Sequence, residues 1–185
     1  MKDNNMNILY LHGWKHNDDV YKKSNKVKEL EKLGNVFIID LDYKDKNFID
    51  LYNEILEKIL AQKIDLLVGT SLGGFMAAHL GVKAGLPFVS INPSLNPEKN
   101  LKNRFKVNED IYKSYPNFPD NDMGLILLDK DDELFDSEET LEKLKLKNFN
   151  NMKMFNGGSH RFDHMSESLD IIRLFKDIAD VSYGF

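Results

Sequence analysis

Six short apolar runs, several rich in β-branched side chains, punctuate the chain at 6–11, 36–41, 64–68, 87–91, 123–128 and 152–155. Runs of this length bounded by turn residues read as buried strands. The segments between them change period. Val20, Val27, Leu30 and Leu33 within 18–33 fall at helical spacing, as do Phe48, Leu51, Tyr52, Ile55, Leu56 and Ile59 within 48–60. Residues 72–84 follow the third run directly as an apolar helix. Helices over 137–146 and 164–179 complete the set, the last with Leu169, Ile172, Leu174, Phe175 and Ile178 apolar. Gly34 and Gly85 stand where the first and third helices should stop, and Ser137 where the fourth should be capped. Strand and helix alternate along the whole length. That predicts an α/β fold, a mostly parallel, doubly wound sheet of about six strands with helices on both faces.

The alternation breaks between residues 95 and 122. This stretch is polar, carries prolines at 97, 116 and 119, and spaces its aromatics as Phe105, Tyr112, Tyr115 and Phe118. One helical piece is expected over 108–115. The segment reads either as a small cap over a site or as a surface excursion with its own minor packing.

Composition narrows the class. With 185 residues the chain can build one domain with a sizeable core, spanning 1–185, and is short for two. A net charge of −5 and the lack of any basic stretch interleaved with aromatics argue against nucleic acid as a partner. There is no cysteine, so a disulfide framework, a thiolate metal site and a cysteine nucleophile are excluded. The N-terminal residues are polar, and the apolar run at 8–11 is too short for a signal peptide or a membrane span. A cytoplasmic protein is the expectation; oligomeric state is not legible.

The third run ends in Gly69-Thr70-Ser71-Leu72-Gly73-Gly74 and passes at once into a helix. This is the strand–turn–helix setting of a G-x-S-x-G nucleophile elbow, where small residues two before and two after the serine let the chain crowd past itself. The helix start then supplies N–H groups where an oxyanion would form. A glycine-rich turn can also cradle phosphate, but neither G-x-x-x-x-G-K-[ST] nor G-x-G-x-x-G occurs here.

A serine nucleophile needs a base, and the base needs a partner. His12, Ser71, Asp132 and His160 each follow closely after a strand, and in a parallel sheet such positions converge. The chain order Ser, Asp, His is that of α/β-hydrolases. His160, in Gly157-Gly158-Ser159-His160, is the expected base, with His164 as the fallback. A metal pair of His160 and His164 is disfavoured, since no third ligand stands nearby in sequence. Of Asp129, Asp131, Asp132 and Asp136, Asp132 is the expected acid and the others are solvated turn residues. The backbone N–H groups of Leu72 and Trp14 are the expected oxyanion donors. His12 reads as bracing its loop, His79 as a packed histidine and His16 as exposed.

Leu11-His12-Gly13-Trp14, Gly69-Thr70-Ser71-Leu72-Gly73-Gly74-Phe75, Ile91-Asn92-Pro93, Asp132-Glu133-x-x-Asp136 and Gly157-Gly158-Ser159-His160 follow in that order. Together they resemble the small bacterial YqiA-type esterases of the α/β-hydrolase superfamily, over nearly the whole chain. The resemblance implies a carboxylesterase of similar length, lacking the first two strands of larger hydrolases, with acyl-CoA thioesters among its candidate substrates. It implies Ser71 as nucleophile, Asp132 as acid and His160 as base. Two positions depart from the family pattern. Asp131 stands where glycine usually precedes the acid, which keeps Asp131 as a rival. Trp14 stands where phenylalanine usually follows His-Gly, which alters the acyl pocket. The expected function is therefore hydrolysis of a small-molecule ester or thioester, with no metal or cofactor. The alternatives are a non-catalytic binding module on the same fold and acyl transfer to an acceptor other than water.

Overall fold

The computed structural model describes residues 6–14, 24–105, 107–120 and 123–183. Its elements are β1 (Met6–Leu11), α1 (Asn25–Leu30), β2 (Gly34–Ile39), α2 (Phe48–Gln62), β3 (Leu66–Thr70), α3 (Leu72–Ala84), β4 (Phe88–Ile91), α4 (Pro97–Arg104), α5 (Glu109–Tyr112), β5 (Gly124–Asp129), α6 (Ser137–Lys145), β6 (Met152–Phe155) and α7 (Met165–Tyr183). The six strands form one sheet in the order β2-β1-β3-β4-β5-β6, every neighbouring pair parallel. The strand order reverses between β1 and β3, where Leu11 pairs with Gly69. An open parallel sheet presents its crevice at such a reversal, off the carboxyl ends of the strands. This is the α/β-hydrolase fold.

Both faces of the sheet are covered, so its strands carry apolar side chains at successive positions. Leu9, Leu11, Leu67, Ile126 and Leu128 point into one core with Ile55 of α2 and Phe75 of α3. Their neighbours Ile8, Tyr10, Leu66, Val68, Leu125 and Leu127 point into the other, with Leu30 of α1 and Ile172 of α7. No helix among the described residues is long and apolar enough to cross a membrane.

Four local expectations change. Residues 18–23 of the first expected helix lie outside the described residues, and its described part ends at Leu30 with Glu31 as the cap. Gly34 does not stop that helix. It opens β2 opposite Met6, where a β-carbon would overlap the Met6 backbone. The N-cap of α6 is Asp136, whose Oδ1 accepts from Glu139 N–H at 2.8 Å, while Ser137 Oγ turns away to donate to the Asp129 carbonyl at 2.6 Å. Within 95–122, the helix expected over 108–115 shortens to α5, and α4 precedes it, opened by Asn96 as cap and Pro97 in its first turn.

Candidate active site

Ser71 is the N-cap of α3 and holds φ 56° and ψ −116°, a left-handed conformation an L-residue adopts only where its surroundings enforce it. The enforcement is visible. A β-carbon on Gly69 would overlap the Gly73 backbone, and one on Gly73 would overlap the backbone of Leu11 and His12. Ser71 N–H donates to the Ile91 carbonyl at 2.9 Å, and its own carbonyl accepts from Phe75 and Ser94, both at 3.1 Å. The chain is thus tied to α3 and to the end of β4 on either side of the hydroxyl.

The loop after β1 lies against this turn. A β-carbon on Gly13 would sit 3.0 Å from Ser71 Cβ and 3.6 Å from its Oγ. His12 is buried and braces the loop. Its Nε2 accepts from Leu41 N–H at 2.9 Å and its Nδ1 faces the Gly13 carbonyl at 2.6 Å. A ring that accepts at Nε2 and meets a carbonyl at Nδ1 is the neutral tautomer protonated at Nδ1. Tyr43 Oη donates to the His12 carbonyl at 2.7 Å. Both carbonyls before Trp14 are therefore occupied. Among the described residues, none accepts a hydrogen bond from the backbone N–H of Trp14 or of Leu72. The Trp14 indole stacks on Phe105 at the end of α4, with centroids 4.2 Å apart and planes at 14°.

His160 follows β6, and its Nδ1 lies 2.8 Å from Asp132 Oδ2. The other carboxylate oxygen, Oδ1, accepts from Leu134 N–H at 2.8 Å and Phe135 N–H at 3.0 Å. Two backbone donors therefore fix the direction in which Asp132 meets the imidazole. The ring of Phe135 stands edge-on to His160, centroids 4.8 Å apart. Glu133 Oε2 accepts from the His160 backbone N–H at 2.8 Å, and that bond lowers the Glu133 carboxyl below its ordinary range. Asp131 is exposed and no side-chain hydrogen bond ties it to His160. Of the clustered acids, it is Asp132 that meets His160.

Asp129 departs from the expectation of a solvated turn residue. It ends β5, is wholly buried, and its Oδ1 lies 2.6 Å from His164 Nδ1. His160 and His164 thus face different carboxylates. Among the described residues, no group of three or more His, Asp or Glu side chains is arranged to hold a metal ion. Asn92, at φ 41° after β4, is a further residue, met in the sequence only within Ile91-Asn92-Pro93 and given no role there. Its amide nitrogen donates to the Ser159 carbonyl at 3.0 Å, and its amide oxygen accepts from Asp129 N–H at 2.9 Å.

His79 is packed against Phe48 and Phe75, and burial lowers it from 6.5 to about 4. His16 lies outside the described residues.

The model of an uncharacterised protein family, UPF0227, matches residues 7–118. A UPF0227 protein of Yersinia pseudotuberculosis is 26% identical over 188 residues, covering 92% of this chain and 99% of its own length. Among solved structures, Est1E from Butyrivibrio proteoclasticus with ferulic acid bound is similar at a TM-score of 0.68 and 14% identity, over 95% of this chain and 88% of that one. A carboxylesterase structure from the thaumarchaeon Nitrososphaera gargenis is similar at a TM-score of 0.64 and 12% identity, over 98% and 93% of the two chains.

Proposed function

This chain belongs to the UPF0227 family, and from that premise and its α/β-hydrolase fold we propose that it is a serine hydrolase of carboxylic esters or thioesters. The observation that carries the reading is the Ser71 backbone, held at φ 56° between a strand end and a helix start. A strained residue at such a junction is retained where its surroundings over-determine it, and it lifts the hydroxyl clear of the sheet.

In the proposed cycle His160 Nε2 takes the Ser71 proton as Oγ attacks the acyl carbonyl. Asp132 accepts the Nδ1–H and stabilises the imidazolium. The N–H groups of Leu72 and Trp14 hold the oxyanion, a contribution of about 2.7–4 kcal/mol for each such donor elsewhere. The tetrahedral intermediate collapses, His160 protonates the leaving alcohol or thiol, and an acyl group remains on Ser71. Water then repeats the sequence and releases the acid. Residues 95–122 act as a small cap, with the Trp14–Phe105 stack as one wall of the acyl pocket. Acyl-CoA thioesters are the substrate class that the family resemblance adds to simple esters.

A fluorophosphonate probe tests the reading. It should label Ser71, located by peptide mass spectrometry, and the protein should hydrolyse p-nitrophenyl butyrate. Ser71→Ala should lose both, since removing a triad nucleophile costs on the order of 10⁶-fold in turnover elsewhere. A folded wild type that is neither labelled nor active would make the chain a binding module.

A further inference from the structure

Beside the Asp132–His160 couple stands a second carboxylate–imidazole couple, Asp129–His164, which the cycle above does not use. We propose that Asp129 and His164 are positioning residues: together they set the loop that carries His160, and so act on turnover rather than on ester binding. The inference rests on the serine-hydrolase reading.

The loop has few internal ties. After β6 the chain passes through Gly157 and Gly158, both at φ 81°, and turns back with Phe162 N–H donating to the Ser159 carbonyl at 2.9 Å. Phe162 is itself at φ 60°. His160 sits inside this turn. Glu133 Oε2 takes the His160 N–H and the Gly157 carbonyl accepts from Asp131 N–H, and a single buried carboxylate oxygen grips the turn on both sides of His160. Asp129 Oδ2 accepts from Ser159 N–H at 3.2 Å and from Asp163 N–H at 2.8 Å, one residue before His160 and three after it. Asn92 holds the carbonyl side through the Ser159 oxygen. Gly158 is pressed so close to the Asp129 carboxylate that a β-carbon there would overlap it.

A carboxylate can grip in this way only if it cannot rotate. His164 supplies the restraint by taking the other oxygen, Oδ1. Its ring is held in turn, stacked on Phe155 with centroids 4.9 Å apart and planes at 10°. The backbone ends of Asp129 are also engaged, its N–H by Asn92 and its carbonyl by Ser137 Oγ. A fully buried carboxylate needs this many donors, and His164 is the one that meets it from the Oδ1 side and so restrains the tilt of the carboxylate plane against the loop. Releasing it lets the carboxylate turn, and the positions of Ser159 and Asp163 then relax with His160 between them.

Misplacing a reacting group by ~1 Å can lower turnover by about 10²-fold. His164→Ala should therefore reduce kcat toward p-nitrophenyl butyrate by about 10–100-fold, with KM changed less than about 3-fold. His164→Asn, which keeps an N–H donor near the Nδ1 position, should recover most of that loss. Proton NMR supplies a readout independent of turnover. The downfield His160 Nδ1–H resonance, identified by its absence in Asp132→Asn, should broaden or vanish in His164→Ala and persist in His164→Asn. If His164→Ala does not fold, His164→Asn and His164→Ser carry the comparison: the donor-keeping amide should retain the resonance and most turnover, and the shorter hydroxyl should lose both. A merely structural role would lower unfolding midpoints while leaving kcat per folded molecule and the resonance unchanged, and would overturn the proposal. A wild type that is neither active nor labelled overturns the hydrolase reading beneath it. An active wild type with unaltered His164 variants overturns the positioning role alone.

Discussion

Gly157 and Gly158 are consecutive, share φ 81°, and differ only in what surrounds them. Alanine in a left-handed conformation costs roughly 1–2 kcal/mol at either position. At Gly157 nothing else is added, because a β-carbon there meets no atom within 4 Å. At Gly158 the β-carbon would lie 2.8 Å from Asp129 Cβ and nearer still to the carboxylate, where 3.4 Å is the start of ordinary contact. Asp129 has no room to retreat, since it is wholly buried and bonded to Ser159, Asp163 and His164. The loop must yield instead, and His160 lies two residues on. Gly157→Ala should therefore lower the unfolding free energy by about 1–2 kcal/mol, a fall of roughly 2–8 °C in Tm. Its kcat/KM per folded molecule should stay within about 3-fold of wild type. Gly158→Ala should lose more stability and, in the folded fraction, about 10²-fold in kcat/KM. Circular dichroism melts give the first quantity, and p-nitrophenyl butyrate hydrolysis corrected for folded fraction gives the second. Equal kinetic losses in the two variants, or full activity in Gly158→Ala, would refute the claim that contact with Asp129 fixes this loop.

The acid is tested by paired isosteric changes: Asp132→Asn should lower kcat/KM by about 10⁴-fold, as in the template triad, and Asp131→Asn by less than about 3-fold, with the reverse pattern moving the role to Asp131. His79 gives a pH signature in stability. Its pKa is lowered by burial from 6.5 to about 4, so the unfolded chain binds a proton near pH 6.5 that the folded chain refuses until about pH 4. Stability is lost as pH falls through that window, about 2 kcal/mol of it by pH 5. His79→Leu should remove that share in urea midpoints at pH 8 and pH 5, and parallel losses in both proteins would count against the buried neutral form. Asp136→Ala should cost about 1 kcal/mol through loss of the α6 cap and leave turnover unchanged; a kinetic defect would show that the cap reaches the site.

What was legible in the sequence is what depends on local pattern. The apolar runs marked all six strands to within two residues, and β1, α3 and β6 to the residue, because burial on both faces leaves a continuous apolar signature. The elbow was legible because its glycines and serine are neighbours in sequence. The misreadings share a different origin. Gly34 has the local look of a helix stop, yet its small size answers to Met6 on the adjacent strand. Ser137 looks like a cap, yet its hydroxyl is drawn to the Asp129 carbonyl, which leaves the cap to Asp136. The start of α4 was signalled by Asn96 and Pro97, but Pro97 and Leu101 are too few buried apolar residues to give the helix a legible amphipathic period. Asp129 opens an acidic turn in sequence, and only the fold brings Ser159, Asp163 and His164 to its carboxylate.

Those non-local ties follow a pattern that accounts for the strain at the site. Five described non-glycine residues hold positive φ. Two of them, Lys63 and Asn148, stand at or just after helix ends; the other three, Ser71, Asn92 and Phe162, lie in the segments that follow β3, β4 and β6. The segments after β3, β4 and β5 are each bonded to the next strand along the sheet. Ser71 N–H reaches the Ile91 carbonyl at the end of β4, Asn92 N–H reaches Leu127 in β5, and Lys130 N–H reaches Phe155 at the end of β6. Side chains repeat the connection, from Asn92 to Asp129 and from Asp129 to Ser159 and Asp163. A left-handed residue costs about 1–3 kcal/mol, and a net hydrogen bond contributes about 0.5–1.5 kcal/mol. One tie offsets at most the low end of that cost, and the conformation of Ser71 rests on several acting together. In a parallel sheet these ends all emerge on one side, so the ties around the proposed nucleophile continue, through Asn92 and Asp129, into those that hold the loops of the proposed acid and base.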